Sequence, residues 1–325
     1  MDYALAIGGL FLLFVGGESL VRGAVGLARQ LGVSSLFTGL VVVGFGTSAP
    51  EFVVCLEAAL RGQYDITVGN IVGSNIANLM LILGVAALIQ PVLSRGSVLK
   101  RDGLAMLFAS VVLVGLAVLG EVSRALAAGL LLMLVGFITM CWISERRASD
   151  GASAVADEVE EVGKLPDRIS LALLAALFGA GTLVLGSHML IDGATGIARA
   201  FGLSEAVIGV TLVALGTSLP ELAAVIVAAY RNHADVALGN VLGSNVFNVF
   251  GMLGMTALIE PLSISAAFLD LDMWVMLGAS ALLLVFLTTG NRLSRPESLF
   301  LLAGYLAYVV FLLEPGATAI APAAA

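Results

Sequence analysis

Charge is scarce in this sequence. Asp, Glu, Lys and Arg make up only 12% of its 325 residues, against 60% hydrophobic residues and a mean hydropathy of +1.08. That is too little polar surface to enclose a water-soluble core, so a soluble globular protein is excluded. Cysteine is down to two residues, Cys55 and Cys141, each inside an apolar run. This excludes a disulfide framework and leaves two buried packing residues. Histidine is equally rare, with only His188 and His233, and no Ser/His partnership for intramembrane hydrolysis is legible. Strict polar/apolar alternation is missing from the apolar runs, which excludes a transmembrane β-barrel. A basic segment ahead of the first run is also missing: Met1-Asp2-Tyr3 leads straight into it. The first run is therefore expected to be a retained span rather than a cleaved signal.

What is present is a succession of apolar runs, each of about the 20 residues a helix needs to cross hydrocarbon. Ten are predicted, at roughly 3–28, 35–60, 66–90, 103–120, 125–144, 169–198, 204–230, 236–260, 272–289 and 297–314. The expected fold is an all-α integral membrane protein. Positive charge is distributed unevenly between the two sides. Arg22, Arg29, Arg95, Lys100, Arg101, Arg146, Arg147, Lys164, Arg168, Arg231, Arg292 and Arg295 fall on one, and Arg61, Arg124 and Arg199 on the other. Basic loops stay inside, which predicts both termini outside.

Within the runs a long segment occurs twice. Gly46-Thr47-Ser48-Ala49-Pro50-Glu51 is answered by Gly216-Thr217-Ser218-Leu219-Pro220-Glu221, an offset of 216 − 46 = 170. Gly69-Asn70-Ile71-Val72-Gly73-Ser74-Asn75-Ile76-Ala77-Asn78 is answered at the same offset by Gly239 to Asn248, and the register holds from 17–91 to 187–261 without a gap. The chain divides into a first five-helix repeat (1–144), an acidic polar linker (145–168) containing Asp157-Glu158-Val159-Glu160-Glu161, and a second five-helix repeat (169–325). Five crossings is an odd number, so the halves cross in opposite senses. Inverted repeats of this kind belong to secondary transporters, which bind substrate near the midplane at broken helices. Pro50 and Pro220 lack an N–H and clash with the carbonyl four residues back, so the second and seventh spans should break there. The third and eighth are expected to be broken too.

The two glutamates carry the chemistry. A charge inside the bilayer costs about 2.5 to 3.5 kcal/mol on insertion scales, and no Lys or Arg lies at mid-span to neutralise these two. Their natural partners are mobile cations or protons. Around them the repeats supply the hydroxyls of Thr47, Ser48, Thr217, Ser218, Ser74 and Ser244, the amides of Asn78 and Asn248, and carbonyls released by the prolines. A set of hard oxygens suits Na⁺, Mg²⁺ or Ca²⁺, and a dehydrated, flexible site favours Ca²⁺ over Mg²⁺. Thr and Ser also bond back to their own helix, and Asn70, Asn75, Asn240 and Asn245 are read as interhelical hydrogen-bonding residues. Glu18 with Arg22, and Glu57 with Arg61, are spaced as i, i+4 ion pairs. Asp65 and Asp235 are read as N-caps of the third and eighth spans. Two bare carboxylates resist occlusion, so an empty carrier should not return; that is a recipe for exchange.

The doubled GTSxPE and GNxxGSNxxxN blocks resemble the α-repeats of sodium/calcium exchangers in the cation/calcium exchanger superfamily, in its compact prokaryotic ten-span form. The resemblance implies a plasma-membrane antiporter, not an enzyme, that carries Ca²⁺ and Na⁺ without a cofactor or a nucleic-acid partner and for which a monomer in the lipid bilayer suffices. It implies Glu51 and Glu221 as shared Ca²⁺ ligands with the carbonyls of Thr47 and Thr217. Ser48, Ser74, Ser218 and Ser244 would form sodium sites with the carbonyls of Gly44 and Ala214, Asn78 would line the central position, and spans 1 and 6 would slide. Asn248 stands where some relatives, including the potassium-dependent ones, have aspartate, which argues against potassium co-transport. A Ca²⁺/H⁺ exchanger is the alternative, although the GNAxE-type motif of that branch is absent. An intramembrane hydrolase and a passive channel are disfavoured.

Overall fold

The computed structural model describes residues 1–93, 96–149, 166, 168–200, 218–289 and 292–313. Among these, eight helices are long and apolar enough to cross a bilayer, and a bent pair makes a ninth span. The chain is a multi-pass membrane protein. Its elements are α1 (Asp2–Leu31), the bent pair α2 (Gly39–Thr47) and α3 (Ala49–Leu60), α4 (Tyr64–Ile89), α5 (Gly96–Leu119), α6 (Arg124–Ser149), α7 (Ile169–Ala200), α8 (Leu219–Tyr230), α9 (Ala234–Ile259), α10 (Asp272–Thr289) and α11 (Arg295–Leu313). Exposed Leu10, Phe11, Phe14, Leu174 and Phe178 face outward from α1 and α7, as hydrocarbon solvent requires. By contrast, 78% of the most apolar window is buried in both α4 and α9. Those two helices carry the GNxxGSNxxxN blocks.

Packing sorts the chain differently from its duplication. One compact unit is formed by Met1–Pro50 with Trp142–Asn240, the other by Glu51–Cys141 with Val241–Ala325. Each unit draws on both repeats.

In the first unit, α1 and α7 form an antiparallel pair whose closeness rests on glycine. A Cβ at Gly9 would lie 2.5 Å from Leu190 N, at Gly16 2.8 Å from Leu183 N, and at Gly23 2.5 Å from Ala176 N. Backbone meets backbone at intervals of seven residues, which is how helices gain dispersion energy in a medium without a hydrophobic driving force. Gly9, Gly16 and Gly23 recur 170 residues later as Gly179, Gly186 and Gly193, so both helices of the pair present the same seam. The i, i+4 pair of Glu18 and Arg22 forms at 2.7 Å, and Arg231, beyond the end of α8, reaches the other oxygen of Glu18, also at 2.7 Å.

In the second unit the contacts themselves come in exchanged pairs. Arg124 donates to the carbonyls of Leu258 and Ile259 at 3.2 and 3.1 Å, and Arg295 to those of Leu88 and Ile89 at 3.1 and 3.4 Å. Each arginine therefore satisfies the last carbonyls of an α4- or α9-type helix. Two-residue strands repeat the exchange: β1 (Val92–Leu93) pairs antiparallel with β4 (Arg292–Leu293), and β2 (Glu121–Val122) with β3 (Leu262–Ser263). Where α5 meets α10, the hydroxyls of Ser110 and Ser280 bond to each other at 2.9 Å; these two residues are also 170 apart.

Three expectations need correction or extension. The second span is broken as the prolines required, with α2 and α3 meeting at 47° and Ser48 at φ −80°, ψ 4° at the joint. The third and eighth spans, expected to be broken as well, run through as α4 and α9. Neither contains a proline, and each carries instead one π-helical turn, Asn78–Ile82 and Phe247–Met252. Asp65 is not an N-cap: Gln63 occupies that position without a side-chain bond, and Asp65 and Asp235 lie within the first turns of α4 and α9. There they still oppose the helix dipole favourably. The first half of the seventh span and the acidic run of the linker lie outside the described residues.

Candidate ion site

In the first unit, the break after α2 sets the geometry. The carbonyl of Gly44 accepts from Ser48 N at 3.3 Å, and the hydroxyl of Thr47 bonds back to the carbonyls of Val43 at 3.0 Å and Gly44 at 3.4 Å. That hydroxyl also approaches Asn240 Oδ1, at 3.3 Å. Thr47 thus behaves as a helix-bonded threonine, and its hydroxyl is occupied. Ser48 is different. Its backbone has left the helix, its hydroxyl is free of the turn below, and it donates to Glu221 Oε1 at 3.1 Å. A serine of one GTSxPE block is thereby bonded to the glutamate of the other. Glu221 sits in the first turn of α8 with Pro220 just before it, and Ser218 precedes the helix without capping it. The helix N-terminus favours the carboxylate. Both members of the bond are buried, Ser48 to 1% exposure and Glu221 to 2%. Thr217 and Ala214 lie outside the described residues.

In the second unit, Glu51 occupies the first turn of α3 and is 1% exposed. One turn on, Cys55 accepts from Asn70 Nδ2 at 3.2 Å, while Thr67 Oγ1 donates to the Cys55 carbonyl at 3.0 Å. This is the interhelical role expected of Asn70. Ser74 and Ser244 are buried on α4 and α9. Beside them lie four asparagines joined crosswise: Asn78 Nδ2 donates to Asn245 Oδ1 at 2.9 Å, and Asn248 Nδ2 donates to Asn75 Oδ1 at 3.0 Å. Exchanging the repeats turns one bond into the other, because 78 + 170 = 248 and 75 + 170 = 245. Asn75 and Asn245 therefore play the hydrogen-bonding part assigned to them. The remaining oxygens, Asn78 Oδ1 and Asn248 Oδ1, have no hydrogen-bond donor among the described residues, although Asn78 and Asn248 are 2% and 1% exposed. Leaving a buried amide oxygen bare costs about 1 to 3 kcal/mol, and here the cost falls at two repeat-related positions.

The π-helical turns explain how these oxygens are presented, and nothing in the sequence announced them. Asn78 opens one, with Leu83 N–H reaching back five residues to its carbonyl, and Asn248 lies in another, with Leu253 N–H reaching its carbonyl in the same way. A third, Gly39–Val43, runs directly into Gly44. Such wide turns shift the side chains that follow out of α-helical register and are concentrated at functional sites. In each unit, taken by itself, the candidate groups described are hard oxygens, a donor type that suits a hard cation rather than a soft one.

Comparison with known proteins finds relatives along nearly the whole chain. Residues 1–143 and 171–314 match the family described as sodium/calcium exchanger protein. The chain is 34% identical to the inner membrane protein YrbG of Escherichia coli over 95% of its own length and 96% of that protein's. It is 33% identical to the sodium/calcium exchanger MaX1 of Methanosarcina acetivorans over 96% and 98%. Among solved structures, the sodium-calcium exchanger NCX_Mj superposes with a TM-score of 0.80 at 30% identity, covering 96% of this chain and 98% of that one.

Proposed function

Because the chain belongs to the sodium/calcium exchanger family, we propose that it is a secondary active antiporter that exchanges Na⁺ for Ca²⁺ by alternating access, with Glu51 and Glu221 as the cation ligands that both ions share. The observation that carries this reading is the near-complete burial of one glutamate per repeat, at 1% and 2% exposure, within apolar spans. Two carboxylates balance one Ca²⁺, or two Na⁺. Burying the pair without counter-charge is costly in a low-dielectric interior, so the halves exchange sides only when loaded. Obligatory exchange follows from that penalty.

In this reading the carbonyls of Thr47 and Thr217 complete the Ca²⁺ shell. Ser48, Ser74, Ser218 and Ser244, with the carbonyls of Gly44 and Ala214, take Na⁺, and Asn78 and Asn248 line the position between. Ten spans in two inverted five-helix repeats carry the site, both termini are outside, and a single copy suffices. The antiparallel α1/α7 seam supports the inversion, since its two helices hold equivalent places in the repeats. The alternative driving ion is the proton.

The test is ⁴⁵Ca²⁺ uptake by proteoliposomes loaded with Na⁺ or, separately, held at acidic internal pH without Na⁺. Uptake should require internal Na⁺. Uptake driven equally well by protons alone would replace Na⁺ with H⁺ in this mechanism.

A further inference from the structure

The four asparagines do more than donate two oxygens. An amide side chain offers oxygen on one side and N–H on the other, and a half-turn about its last bond interchanges them. For Asn78 and Asn248 to face a cation, something must fix that choice. The second unit contains the means. Asn245 Oδ1 takes the N–H of Asn78, at 2.9 Å, and Asn75 Oδ1 takes that of Asn248, at 3.0 Å. The two acceptors are themselves oriented, because Asn245 Nδ2 donates to the backbone carbonyl of Asn75 at 3.3 Å and Asn75 Nδ2 points to Met276 Sδ at 3.8 Å. Turning Asn248 over would set its oxygen against Asn75 Oδ1, and relieving that clash would turn Asn75 over against the sulfur. Turning Asn78 over meets Asn245 Oδ1 in the same way. All four side chains are at most 2% exposed, so water cannot substitute for a lost partner.

We propose that Asn75 and Asn245 are positioning residues for ion binding: each uses its amide oxygen to hold the neighbouring asparagine with its own oxygen bare for the cation. This rests on the cation reading above and adds two residues to it that touch no ion. Ser74 and Ser244, one residue earlier in the chain, would not do the same work, since they lie about 100° away around the helix.

A double-mutant cycle separates orientation from packing. A carboxylate presents oxygen whichever way it turns, so Asn248→Asp no longer needs Asn75 to turn it towards the cation; its second oxygen faces Asn75 Oδ1, and Asn75→Ala relieves that repulsion instead of removing an orienting bond. Apparent Ca²⁺ affinity is read by equilibrium ⁴⁵Ca²⁺ binding to the purified full chain, which does not depend on turnover. Asn75→Ala should weaken binding about tenfold in the parent and less than about twofold in the Asn248→Asp background. The mirror cycle, Asn245→Ala with and without Asn78→Asp, should repeat the pattern, and it decides the matter if either member of the first cycle fails to fold. An equal loss in both backgrounds would make Asn75 and Asn245 packing residues and overturn the proposal. So would alanine variants that bind like the parent. A parent that binds no Ca²⁺ would overturn the cation reading itself, and this inference with it.

Discussion

Gly16→Ala is a substitution whose cost can be worked from the seam between α1 and α7. The new methyl carbon would lie 2.8 Å from Leu183 N, 2.9 Å from Gly179 O and 3.0 Å from Leu183 Cγ. Ordinary contact begins near 3.4 Å, so the helices must part by about 0.6 Å at this point (3.4 − 2.8). Two of the three neighbours are backbone atoms and cannot rotate aside. A gap of that size forfeits roughly a quarter to a half of the dispersion energy between the atoms it separates, and overpacking of a close interface costs about 1 to 3 kcal/mol. Alanine returns about 1 kcal/mol through its higher helix propensity. The expected net effect is a destabilisation of up to about 2 kcal/mol. Gly129→Ala is the matched control: a Cβ there meets nothing within 4 Å, and only the propensity gain applies. Thermal unfolding of both purified variants in the same detergent reads the difference. Gly16→Ala should melt below the parent and Gly129→Ala at or above it. If the two variants melt together, the seam is not close-packed and the description of α1 and α7 is wrong.

Other substitutions probe separate parts of the account. Ser48→Ala removes the hydroxyl that donates to Glu221 at 3.1 Å; hydrogen bonds to charged groups are worth about 1.5 to 3 kcal/mol, so the Na⁺ concentration for half-maximal ⁴⁵Ca²⁺ efflux should rise at least about tenfold, and an unchanged Na⁺ dependence would remove Ser48 from the site. Glu18→Gln weakens two ion pairs at once, but Arg22 and Arg231 are 40% and 35% exposed, so the loss of stability should stay near 1 kcal/mol and shrink in about 1 M salt. A melting difference between Glu18→Gln and the parent that is indifferent to salt would contradict the electrostatic reading. Arg124→Ala and Arg295→Ala each expose two helix-terminal carbonyls; the melting shifts should be similar in size and additive in the double variant, because the two clamps share no partner.

Much of this was legible in the sequence, because duplication writes the same physical requirement twice. The 170-residue register located both carboxylates, the serines and all four asparagines, and composition alone required spans. Proline at position 50 located the bend at Ser48 to within two residues. What remained hidden was what depends on a non-local partner or on a small change in winding. Arg22 announced itself by its i, i+4 spacing from Glu18, whereas Arg231 lies 213 residues away; its one local sign is the matching arginine at position 61. The heptad of glycines in α1 signals close packing, but the helix it packs against is legible only when the copy at Gly179, Gly186 and Gly193 is set beside it. The π-helical turns leave no mark that propensity detects, since the residues within them favour α-helix equally well. Asp65 misled for a related reason. An acidic residue near a helix start serves either as a cap or in the first turn, and the two differ only by where the backbone enters helical geometry.

The claim that one glutamate from each repeat binds the transported cation meets its most direct test in Na⁺-driven ⁴⁵Ca²⁺ uptake by proteoliposomes holding the parent, Glu51→Gln or Glu221→Gln. Glutamine keeps the size of the side chain and one of its oxygens, and removes the charge. Either substitution alone should reduce uptake by at least about a hundredfold while the protein still folds and inserts, because one remaining carboxylate no longer balances a divalent ion. Parental flux through either variant would contradict the two-carboxylate site.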